Sequence, residues 1–129
     1  MGQQQLLLIT LGVILVGIAI GVGISMVNAT SIASNKDAII NDLNNLASYA
    51  YVHHIRPTTM DGGGGSYTGG SGFKIPTLLR SNVNGTYTAA NSTQSVTFVA
   101  TSAQGYGIIT AVCDSTGHLG NFTYSGEFL

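Results

Sequence analysis

The stretch QQQLLLITLGVILVGIAIGVGISMVNA, Gln3 to Ala29, decides how the rest of the chain is read. From Leu6 to Val27 it carries no charged residue. A helix rises about 1.5 Å per residue, so this run is long enough to cross a hydrocarbon core of roughly 30 Å. Two coverings suit such a helix: lipid, or copies of itself. A secretory signal is less suitable. Such signals open with basic residues and close at a small-residue cleavage site. Here no Lys or Arg precedes Lys36, and the apolar run exceeds a usual signal core.

Glycine tips the reading toward self-association, against the plainer alternative that glycine is simply commoner in membrane helices than in soluble ones. Gly17 and Gly21 form a small-xxx-small pair, the pattern that lets two helices approach closely, and Gly12 and Gly23 add further notches. In water, four interior glycines would cost several kcal/mol of helix propensity. Leu6, Leu7, Leu8, Leu11 and Leu15, with these glycines, are the expected assembly surface. Gln3, Gln4 and Gln5 bond sideways without charge, or flank a membrane surface.

Downstream the period changes. Ile32, Ile39, Leu43, Leu46 and Ala50 recur at helical spacing, with Asn41, Asp42, Asn44, Asn45 and Ser48 expected on the other face. Ser34 with Asp37 fits a capping box, either a helix restart or an incidental pair inside one helix. Arg56-Pro57 ends the helix. The helical segment is therefore residues 1–54, apolar over 6–27 and amphipathic over 31–54. A connecting segment, 55–80, holds MDGGGGSYTGGSGFKIP. Seven of the residues from Gly62 to Gly72 are glycine. They predict a flexible surface loop, or backbone packed tightly against a neighbouring chain.

Residues 81–129 are strand-like. GTYTAA, QSVTFVATSA, GYGIITAVC and LGNFTYSGEF are rich in Thr, Val, Ile, Phe and Tyr, with turn signals between them. Alternation places Val96, Phe98 and Ala100 on one face, and Tyr106, Ile108, Thr110 and Val112 on one face of the next strand. The expected fold is α+β: a long N-terminal helix packed on a small antiparallel meander. Its core is expected at Ile39, Leu43, Leu46, Ala50, Phe98 and Ile108.

Apolar helix, amphipathic continuation, loop, then small antiparallel sheet: this layout resembles the type IV pilins and their filament-forming relatives. At the level of motif the resemblance lies in MGQQQLLLITLGVILVGIAIGVGI. It implies a leader ending at Gly2 with Gln3 as the first mature residue. That leader would be only Met1-Gly2, without the family's basic residues, and Leu7 stands where family members carry a glutamate. The resemblance implies a structural, non-enzymatic pilin of a pilus or fimbrium. Such a subunit waits in the inner membrane and is then drawn into an extracellular homo-oligomeric filament cored by its helices. Two rivals share the layout: a pseudopilin of a secretion or uptake machine, and a single-span membrane protein with a small binding ectodomain.

The remaining residues offer little chemistry. Charged residues are 7% of the chain and the net charge is -1, so a phosphate-binding patch for nucleic acid is not expected. The acidic residues Asp37, Asp42, Asp61, Asp114 and Glu127 show no acid–base or metal-ligand spacing. His53 and His54, adjacent on a helix, point about 100° apart and cannot share one metal, and His118 is distant. Cys113 is the single cysteine and reads as a small apolar group. No catalytic residue, metal or cofactor is expected. The pattern Asn-x-Ser/Thr occurs at Asn28, Asn84, Asn91 and Asn121, against about two expected by chance. Surface glycans at Asn84, Asn91 and Asn121 are the corresponding expectation, with Ser and Thr as alternative carriers.

Overall fold

A computed structural model describes residues 2–129. Met1, the first residue of the expected two-residue leader, lies outside the described residues. One helix, α1, runs Gly2–Ile55, and the sheet follows as β1 Gly85–Asn91, β2 Val96–Ser102, β3 Ile108–Cys113 and β4 Leu119–Tyr124. Contacts divide the chain into an N-terminal unit ending at Ala33 and a headgroup from Ser34 to Leu129. Ser34 and Asp37 sit inside the uninterrupted helix, so the capping-box pattern there is incidental.

Within the headgroup the fold is α+β. The strands form an antiparallel meander in the order β1-β2-β3-β4. Ile39, Leu43, Leu46, Ala47 and Ala50 are buried along one helix face. They share the core with Tyr87, Val96, Phe98, Ala100, Ile109, Ala111 and Cys113 from the sheet. A sheet of this size cannot bury enough surface alone, and the helical stripe supplies the missing half.

Two expected side-chain placements are corrected. Ile108 is 40% exposed, and Ile109 occupies the core position. The register decides this: Ile108 pairs with exposed Thr101, and Ile109 pairs with buried Ala100. Ile108 and Ile109 are both apolar, so alternation alone fits either phase, and a one-residue shift moves every side chain to the opposite face. Tyr106 lies outside the strand altogether. Asp42 is the second correction. It is half-buried and meets the sheet, because it lies on the flank of the apolar stripe.

The glycine-rich segment is also corrected, since it packs on its own chain and closes the end of α1. Arg56 N–H donates to Val52 O at 3.1 Å, Gly63 N–H to His53 O at 2.7 Å, and Gly65 N–H to His54 O at 2.7 Å. Helices leave their last carbonyls without intrahelical donors, and Pro57 has no N–H to give. Only bare backbone fits this close. A Cβ at Gly63 would stand 1.7 Å from Ser66 O, and one at Gly62 would stand 2.3 Å from Arg56 O.

Leu43→Ala should lower the stability of a soluble fragment starting at Ile32 by about 2–5 kcal/mol. An unchanged thermal melt would show that the stripe is not the core. Gly63→Ala should destabilise the same fragment although it removes no contact. A melt equal to wild type would contradict the tight cap.

Candidate functional site

The N-terminal unit carries the expected assembly surface. Leu6, Leu7, Leu8, Leu11 and Leu15 are all exposed, as are the other large apolar residues through Val27. The helix is long and apolar enough to cross a membrane. Of the two interior hydroxyls of its apolar run, at Thr10 and Ser25, the first is tied down locally, because Thr10 Oγ1 donates to Leu6 O at 2.5 Å. That bond lowers the cost of carrying the Thr10 hydroxyl into an apolar medium.

The glycines fall into two sets. At about 100° per residue, Gly17 and Gly21 lie about 40° apart on one side. Gly12 and Gly23 lie about 20° apart on a side roughly 150° away. A Cβ at any of the four would meet nothing within 4 Å beyond its own stretch of helix backbone and adjacent residues. The glycines therefore relieve no internal crowding, and a shallow depression lined by Ile20, Gly23, Ile24, Val27 and Asn28 lies over one of them. Two opposed notches suit a helix packed between two neighbours.

The headgroup holds a polar seam that sequence reasoning missed. One oxygen of Asp42, Oδ2, accepts from Tyr87 Oη at 2.5 Å, Asn82 Nδ2 at 2.9 Å and Asn84 Nδ2 at 3.0 Å. Two turns before it, buried Asn35 donates to Asn84 O at 3.1 Å and accepts from Ser102 Oγ at 2.7 Å. The signal for the seam is a polar residue at a stripe position, since Asn35 lies four residues before Ile39. Burial pushes the Asp42 carboxyl up, but the bonds from Tyr87, Asn84 and Asn82 outweigh it and hold the carboxyl below its usual range. Burial and the bond to Asp42 push the Tyr87 phenol well up. An acid held ionised and a phenol held neutral make poor proton-transfer partners near neutral pH, so the seam acts as a clamp between helix and sheet.

The other reactive side chains are similarly committed except His54, whose buried ring nitrogens have no hydrogen-bond partner among the described residues. Tyr67 is fully buried, donates to Asp114 O and lies 3.5 Å from Cys113 Sγ. Burial pushes the Cys113 thiol up, away from the reactive thiolate, although its bond with Tyr67 opposes this. His53 Nε2 is 3.1 Å from Gly69 O and pins the glycine loop. His54 is buried against Tyr67, with a ring separation of 4.6 Å. Among the described residues no group of three His, Cys, Asp or Glu is placed to hold a metal ion.

The expected glycan carriers separate in the structure. Asn84 is half-buried in the seam, and Asn91 Nδ2 donates to Phe73 O at 2.7 Å. Asn121 is exposed on β4.

Because the folded pKa of Asp42 is lowered, its contribution is complete above the unfolded value of about 3.9 and is lost as pH falls through the folded value. Asp42→Asn should cost about 1–3 kcal/mol at neutral pH, where Tyr87 loses a charged acceptor. The melting difference from wild type should close between about pH 5 and pH 2. A difference independent of pH would mean that the carboxylate charge is not what holds the seam.

Searches against protein-family models, curated proteins and solved structures find no match to this chain, so the functional reading rests on the residues described above.

Proposed function

We propose that this chain is a non-enzymatic structural subunit of an extracellular, type IV pilus-like helical filament. It is inserted in the membrane through α1 before assembly, and it polymerises through the apolar part of that helix. The observation that carries this reading is the helix surface. It is apolar and exposed around its circumference, and it has glycine notches on two opposed sides with no role inside the chain. Leucine is the better helix former and the more apolar residue, so lipid alone gives no reason for four glycines at these positions. Helices meeting on both sides need the small residue. A headgroup with its own core and an ionised clamp suits a particle carried outside the apolar bundle. A single-span ectodomain protein would need the span but not two notches.

Two double variants test this. Gly17→Leu with Gly21→Leu, and separately Gly12→Leu with Gly23→Leu, should each abolish or distort filaments in sheared surface material viewed by negative stain. Membrane insertion before assembly should persist, because leucine raises hydrophobicity. Normal filaments from either pair would remove that notch from the assembly surface. A wild-type chain that forms no filament in its own cells would favour the ectodomain protein.

A further inference from the structure

Each of the four Asn-x-Ser/Thr patterns meets a different environment in the fold. In Asn28-Ala29-Thr30 the backbone lies inside α1, beside the apolar run. In Asn84-Gly85-Thr86 the amide nitrogen donates to Asp42 Oδ2 at 3.0 Å, and Gly85 is buried. In Asn91-Ser92-Thr93 the amide nitrogen donates to Phe73 O at 2.7 Å and ties the loop to β1. A carboxamide nitrogen is a weak nucleophile because its lone pair is conjugated with the carbonyl. An enzyme that uses it must turn the side chain and take hold of both N–H groups. The bonds at Asn84 and Asn91 oppose that.

Asn121-Phe122-Thr123 differs in each respect. Asn121 and Thr123 are exposed, and among the described residues no side-chain hydrogen bond holds either one. They lie on β4, an edge strand that, among the described residues, pairs only with β3. Its outer edge has free backbone groups along which a second protein can align. The register with β3 shifts between Thr110 and Val112, so Asn121 and Phe122 together face Ala111. Asn121 takes the left-handed conformation there, with φ 53°. Bulges re-aim side chains, and asparagine is among the few residues other than glycine that tolerate this conformation. The position thus carries a side chain at a conformational cost that glycine would avoid.

We propose that Asn121 is the N-glycosylation site of the folded headgroup, and that the fold withholds Asn84 and Asn91. The co-reactant is a lipid-diphosphate-linked oligosaccharide presented by a membrane oligosaccharyltransferase. The Asn121 amide nitrogen forms a bond to the anomeric carbon. The bond from that carbon to the phosphate oxygen breaks, and the lipid diphosphate leaves with the electron pair. One amide proton passes to a base of the transferase, and nothing is oxidised or reduced. The proposal rests on the reading that the headgroup lies outside the membrane. It does not require the filament.

The full-length chain is produced in a prokaryotic host carrying a transferase that asks only for Asn-x-Ser/Thr, together with its lipid-linked oligosaccharide. Intact mass and peptide mapping read the product, and protease added to spheroplasts, whose inner membrane alone remains, reports the side on which the headgroup lies. The expected result is one glycan, mapped to Asn121. It is lost in Thr123→Ala and in Asn121→Gly, a change that suits the bulge and keeps the wild-type melt. It is retained in Asn91→Gln. An unmodified chain with a protease-accessible headgroup overturns the proposal alone, as does a glycan on Asn84 or Asn91. A protected headgroup overturns both the proposal and the reading beneath it.

Discussion

An apolar helix with no partner inside its own chain must be covered by something else. Leaving Leu6 to Val27 in water would cost about 25 cal/mol for every Å² of apolar surface. The headgroup has its core without this segment, since its buried residues all lie at or beyond Asn35. The chain therefore splits its work. One part is a small folded particle, and the other is a surface without a partner in the chain. Lipid satisfies that surface in a monomer, and like helices satisfy it in a polymer. The opposed glycine pairs are the reason for proposing the polymer, because small residues let another backbone come near.

The headgroup has to be stable with little material. It has one cysteine, hence no disulfide within the chain, and few charges. Its stability comes from three linked devices. The helical stripe completes the sheet's core. The Asp42 carboxylate and Asn35 amide fix helix to sheet along one side. The glycine segment closes the helix end where the chain reverses at Pro57. The close contact between Gly117 and Tyr51, where a Cβ would lie 2.7 Å from the ring, fits the β3–β4 turn onto the same helix. Each device acts on α1, so the helix is the spine of the headgroup as well as the proposed assembly element.

Much of this was legible from residue pattern. The helix stop at Arg56-Pro57, the four strands and the stripe of Ile39, Leu43, Leu46 and Ala50 follow from periodicity and turn chemistry. The phase of β3 did not, because Ile108 and Ile109 are equally apolar and only pairing with β2 chooses between them. Asp42 and Asn35 were hidden because a helical wheel sorts residues by polarity. A carboxylate with three donors is as much at home at the seam as in water. The role of the glycine segment was hidden for a different reason. It acts through backbone N–H groups, which every residue type carries, and the absence of side chains reads most simply as freedom.

If like helices cover the apolar helix, a helical reconstruction by electron cryo-microscopy, from surface material sheared from cells that make this chain, will show a polymer whose axis is a bundle of segments 6–27. Each segment should touch at least two other copies, and the closest backbone approaches should fall at Gly17 and Gly21 on one side and at Gly12 and Gly23 on the other. A chain recovered only as a monomer, with that segment surrounded by lipid or detergent and touching no other copy, would contradict that covering.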